Sequence, residues 1–129
     1  MYASELGQNT WDELNRIEPG ANYGWPSVEG IAGVARFVDP LQQWSPAEAS
    51  PSGIAIAGGS IWIANLRGAS LREVPLADLS TSTVLWQGRF GRMRDVALAP
   101  DGSLWALTNN TDGRGSPAEG DDRILVFAP

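Results

Sequence analysis

Alternating apolar strands recur in two matching stretches of the chain. Ser52–Leu66 reads SGIAIAGGSIWIANL, and Arg94–Asn109 reads RDVALAPDGSLWALTN. In each, an alternating strand runs into a Gly-containing turn, and a second strand then opens Ser-apolar-Trp. Period-two alternation puts successive side chains on opposite faces of a sheet. Gly58-Gly59 and Asp101-Gly102 read as hairpin turns, because glycine takes a positive φ without steric cost. Trp62 and Trp105 correspond, as do Ser60 and Ser103, with each pair 43 residues apart. A period of about 40–50 residues with several short strands per unit is the signature of propeller blades. Both Trp residues are therefore expected in the core.

A third strand follows in each unit, Ser70–Leu76 in the first and Arg123–Phe127 in the second, with Thr83–Gln87 as an outer strand. Trp11–Arg16 reads as one turn of helix, stopped by Pro19-Gly20. The loops Asp39–Pro51 and Asn109–Asp122 are longer than hairpins need, and long loops on a rigid scaffold are where function concentrates. The expected fold class is all-β, with residues 1–129 forming two to three blades of a β-propeller whose ring is incomplete. Such a fragment leaves strand edges unpaired and a core half-exposed. The expectation is a C-terminal portion whose N-terminal blades lie outside this chain.

Composition narrows the chemistry. At 129 residues and 43% hydrophobic, the chain can bury a core. Its net charge of −6 argues against a nucleic-acid partner, which needs clustered cations. All nine basic residues are Arg, the side chain that holds planar anions by paired hydrogen bonds. Zero Cys removes disulfides and thiolate metal sites. Zero His removes an imidazole base and a Ser-His-Asp triad. MYASELGQNT has neither the basic nor the apolar region of a signal peptide, and no apolar run approaches the roughly 18 residues of a membrane span.

Specific chemistry enters through ordered motifs. Asp12-Glu13-Leu14-Asn15 is followed by Pro19-Gly20-x-Asn22-Tyr23-Gly24-Trp25-Pro26; Trp44 precedes Pro51-Ser52-Gly53; Asn65-Leu66-Arg67 ends a strand; and Gly91-Arg92-Met93-Arg94-Asp95-Val96 leads into Pro100-Asp101-Gly102. From about residue 3 to 127 the chain resembles the C-terminal part of the glucose/sorbosone dehydrogenase family. That resemblance implies a six-bladed propeller, periplasmic or secreted at full length. It implies binding of pyrroloquinoline quinone (PQQ) with calcium and oxidation of aldose sugars to lactones. Gly7 and Gln8 match the pair whose carbonyls hold the calcium that touches the quinone. Arg92 and Arg94 match two arginines facing the cofactor, Arg67 a basic residue at its edge, and Trp44 an aromatic near the pocket. Glu13 and Tyr23 match ligands of a second calcium, while Ile31 and Gly33 stand where the family supplies Tyr and Asp.

The residues themselves suit this chemistry. The quinone carries three carboxylates, which clustered Arg neutralise through charge-assisted hydrogen bonds. In a strand, Arg92 and Arg94 would share one face, with Met93 on the other. Calcium takes oxygen ligands, backbone carbonyls included. Taken alone, Arg92 and Arg94 also suit a solvated strand face, and Asp112, Asp121 and Asp122 suit either a surface loop or a metal loop. The family's catalytic base is a His of an earlier blade, so the isolated chain is expected to lack turnover. The alternatives are a non-catalytic propeller module binding sugar or protein, and a calcium-dependent lactonase-type propeller, which requires a carboxylate-rich central site.

Overall fold

The computed structural model describes residues 1–128 as three antiparallel sheets with no helix among them. The first sheet holds β1 (Tyr2–Glu5), β2 (Asp12–Arg16) and β3 (Gln42–Trp44). The second holds β4 (Pro51–Ala57), β5 (Ser60–Asn65), β6 (Ser70–Pro75) and β7 (Thr83–Leu85). The third holds β8 (Met93–Leu98), β9 (Leu104–Thr108) and β10 (Ile124–Phe127). Each is a meander in chain order, the strand arrangement of a propeller blade. No helix among the described residues is long and apolar enough to cross a membrane.

The repeat appears as register. Ala55 pairs Trp62 in the second sheet, and Ala97 pairs Trp105 in the third. Gly58 and Gly59 both adopt positive φ, 57° and 80°, which closes the first hairpin in two residues. The second turn is longer than expected. The Ala99 amide bonds the Ser103 carbonyl at 2.8 Å, with Gly102 at φ 87° inside the turn.

The second sheet is the filling of a sandwich, which explains why all of β5 is buried. Ile61 and Ile63 face the first sheet and pack with Leu14, Trp44 and Val74. Trp62 and Ala64 face the third sheet and pack with Leu71, Met93, Val96 and Leu104. Burying each large apolar side chain contributes about 1.5–3 kcal/mol. The third sheet is covered on one face only. Trp62 is 4% exposed, whereas its counterpart Trp105 is 44% exposed beside Ile124 and Val126. The expectation of a core Trp105 is thus corrected: no described sheet covers that face.

A second correction concerns Trp11–Arg16. Asp12–Arg16 is not helical; it is the central strand of the first sheet, paired with β1 on one side and β3 on the other. Two ladders of backbone hydrogen bonds outweigh the weak local preference for one helical turn. The inner strands β4 and β8 also approach closely. A Cβ at Gly53 would lie 2.9 Å from the Asp95 Cα, so a side chain there would force the blades apart.

Candidate functional site

Strand direction brings several of the matched residues to one end of the stack. Glu5 pairs Glu13 and Trp44 pairs Asp12 in the first sheet; Pro51 pairs Asn65 and Asn65 pairs Ser70 in the second; Met93 pairs Thr108 in the third. The connections between these ends are the 6–11 turn, the 45–50 segment, the 66–69 turn, the 86–92 segment and the 109–122 loop. Buried Asp12 ties two of them, accepting the Gly7 amide at 3.0 Å and the Ser50 amide at 2.7 Å. The Gly68 amide bonds the Ala49 carbonyl at 2.9 Å, which brings in the turn that carries Arg67. Both β4 and β8 are irregular in register at this end, between Pro51 and Ile54 and between Met93 and Asp95. Bulges of this kind gather beside functional sites, where they re-aim side chains.

A cavity of about 410 Å³ opens between the second and third sheets here. Arg67, Arg89, Arg92, Arg114 and Arg123 line it, with Asp121 the single carboxylate of its wall. Five of the nine arginines of an acidic chain thus surround one cleft. Arg92 is the best anchored. Its amide donates to Asn110 Oδ1 at 2.8 Å and its Nη2 reaches Asp112 Oδ2 at 3.1 Å. Its Nε is buried and has no acceptor. A buried charged donor without a partner is costly, and an anionic ligand would remove that cost. Arg123 Nε pairs Asp121 Oδ1 at 3.1 Å.

The 109–122 loop is framed by its own acids. Asp122 accepts from the Asn110 amide and the Thr111 hydroxyl, while Asp121 accepts from the Asn110 side chain and the Ala118 amide. The Arg114 amide, then the Arg92 charge, hold the Asp112 carboxyl below its usual range. These oxygens serve as loop fasteners, and no group of three metal-ligating side chains exists among the described residues.

The 6–11 turn is fixed through its donors. Besides Gly7, the amides of Thr10 and Trp11 donate to Glu29 Oε2 at 2.8 and 3.1 Å. A Cβ at Gly7 would fall 1.8 Å from the Trp11 carbonyl oxygen, so only glycine fits. Among the described residues no hydrogen bond is made to the Gly7 or Gln8 carbonyl. Both oxygens are available to a hard cation, and the turn fits calcium in that respect. The cleft likewise fits a planar tricarboxylate, through Arg67, Arg92 and the unpartnered Arg92 Nε.

Next to this turn Glu5 faces Glu13 across the ladder. Burial first, then the Glu13 and Glu29 charges, push the Glu5 carboxyl above its usual range. A raised folded-state value means that ionised Glu5 opposes folding. The penalty is absent below the unfolded-state value and grows as pH rises through the folded one. Glu5→Gln is therefore expected to raise the melting temperature at pH 7, with the gain vanishing at pH 3.5 in scanning calorimetry.

Other matched residues sit apart from the cleft. Arg92 precedes β8 and the register breaks after Met93, so Arg92 and Arg94 do not share a regular strand face; only Met93 keeps its expected side, buried in the core. Arg94 Nη1 lies 3.5 Å from Ser52 Oγ, on the inner strands, outside the cavity wall. Trp44 is buried in the first core, with the Arg72 guanidinium 4.4 Å over its ring, and does not line the cavity. The Tyr23 hydroxyl is engaged by the Arg16 carbonyl and the Glu18 amide, both at 2.8 Å, at the other end of β2 from Glu13. The structure does not bring the Glu13 and Tyr23 side chains together: the Glu13 carboxylate is taken by the Gly30 amide and Asn15 Nδ2. Arg89, Arg114 and Arg123 carry no sequence motif; the length of the 109–122 loop was the only pointer, and it pointed to Arg114 alone.

Residues 1–117 match the family model for glucose/sorbosone dehydrogenase. The chain belongs to the glucose/sorbosone dehydrogenase family. Among solved structures similar to this family member is the PQQ-bound aldose sugar dehydrogenase of Streptomyces coelicolor, 55% identical with a TM-score of 0.91. That match covers 97% of this chain and 38% of the Streptomyces chain. A putative oxidoreductase (glucose dehydrogenase) from Thermus thermophilus is 37% identical with a TM-score of 0.81, over 97% of this chain and 40% of its own. An uncharacterized Synechocystis protein is 34% identical over 88% of this chain and 32% of its own length. The chain thus spans about a third of that relative. Its three sheets are blades of a β-propeller and form an incomplete ring.

Proposed function

We propose that this chain is the C-terminal portion of a PQQ-dependent sugar dehydrogenase, periplasmic or secreted at full length, and that it supplies the anion-binding and calcium-binding part of the cofactor site. The observation that carries this reading is the cleft in which Arg67 and Arg92, both at family-matched positions, meet with a buried Arg92 Nε lacking an acceptor. Arg67 and Arg92 would hold carboxylates of the quinone from the cleft, and Arg94 would hold one from the inner strands. Gly7 and Gln8 would offer their carbonyls to calcium. When bound, the quinone accepts the hydride from the anomeric carbon of an aldose, giving the lactone. The protein's share is orientation and charge. The exposed face of Trp105, Ile124 and Val126 (44%, 57% and 63%) supports further blades packing there, since the equivalent Trp62 is covered by a neighbouring sheet.

The proton of the sugar hydroxyl needs an acceptor, and this chain has no His to take it. The isolated chain supplied with PQQ, calcium, an aldose and a dye acceptor is therefore expected to show no turnover above the protein-free blank. Robust turnover would contradict this division of labour.

A further inference from the structure

The cleft holds more guanidinium groups than a tricarboxylate occupies. Arg67 and Arg92 from the cleft, with Arg94 from the inner strands, offer one guanidinium for each of three carboxylates. Arg89, Arg114 and Arg123 remain, and they lie on the outer side: Arg89 follows the edge strand β7, Arg123 precedes the edge strand β10, and Arg114 is in the loop before it. Arg123 shares Asp121, but neither Arg89 nor Arg114 has a carboxylate partner among the described residues. The Arg89 guanidinium stacks 5.0 Å over the Phe90 ring, which holds it at the rim. Asp112 positions Arg114 by accepting its amide at 2.8 Å, while its other oxygen holds Arg92 at 3.1 Å. One carboxylate thus orders the inner and outer cations together. Ser116 adds a hydroxyl to the same wall.

We infer that this outer part of the cleft is a second anion subsite, which takes a phosphoryl or carboxylate group borne by the sugar. A neutral aldose offers two unneutralised guanidinium groups only hydroxyl and ring oxygens, whereas a sugar phosphate or uronic acid would supply anionic oxygens for charge-assisted, paired hydrogen bonds. The inference rests on the reading of the inner arginines as the PQQ site, and the two can fail separately.

The test is calorimetric titration of the PQQ-loaded chain with glucose 6-phosphate, glucuronate, glucose and inorganic phosphate, in the wild type and in the double variant Arg89→Gln/Arg114→Gln. At least one charged sugar is expected to bind about tenfold or more tighter than glucose. The double variant should lose that preference while keeping PQQ affinity and the near-ultraviolet circular dichroism of the folded chain. Equal binding of charged and neutral sugars overturns the inference, as does a preference that survives in the folded double variant. Binding of inorganic phosphate without either charged sugar overturns the claim that the sugar bears the anion. Failure of PQQ to bind, with the charged-sugar preference intact, overturns the cofactor reading and leaves the subsite standing.

Discussion

Arg92→Ala is expected to weaken PQQ binding by about ten- to a hundredfold. Hydrogen bonds to charged groups contribute about 1.5–3 kcal/mol, and Arg92 offers them from a mostly buried position. The substitution has a second cost. It strips Asp112 of its cation and leaves a carboxylate, favoured in its ionised form by the Arg114 amide, unpaired behind the cavity wall. Arg92→Lys should recover only part of the loss, because an ammonium cannot hold Asp112 and a ligand through separate ends of one planar fork. Arg36→Ala is the control, at an exposed arginine off the cavity wall that should not matter. Absorbance titration of the quinone reads all three.

Asp12→Ala is expected to cost about 2–4 kcal/mol of folding stability, measured by urea unfolding. The side chain is wholly buried in the central strand β2 and satisfies two backbone amides, those of Gly7 and Ser50. Without it, two donors at the inner end of the stack lose their partners, a penalty that backbone amides in folded proteins rarely bear. Asp12→Asn keeps one acceptor oxygen and should lose about half as much. The substitution also unfastens the 6–11 turn from the entry to β4. PQQ affinity in the Ala variant should therefore lose its dependence on calcium even at temperatures where the chain is folded.

How much of this was legible in the sequence follows from what each segment's residues do. The second and third sheets could be read because Ile54–Ile63 and Val96–Ala106 are short apolar runs broken by Gly-containing turns, and each buries at least one apolar face. The first sheet could not. Asp12, Glu13 and Asn15 of β2 are buried polar residues whose side chains fasten loops, so the strand carries no apolar alternation and resembles a short helix instead. Tyr2–Glu5 and Gln42–Trp44 are short strands that exist through pairing with β2. At the site, Arg67 and Arg92 were visible because each sits in a motif of fixed spacing. Arg89, Arg114 and Arg123 are scattered along the chain and meet only when the ends of two sheets close around one cavity. Trp105 looked like core because its repeat partner Trp62 is core; burial depends on the neighbouring sheet, which local pattern does not encode.

The central claim is that these three blades carry the anion- and calcium-binding part of a PQQ site. It is tested most directly by titrating PQQ into the wild-type chain with and without calcium, followed by the absorbance of the quinone. The expected result is saturable binding at one site per chain, tighter with calcium present and weakened by Arg92→Ala. No saturable binding at any calcium concentration, by a chain shown to be folded, would contradict it.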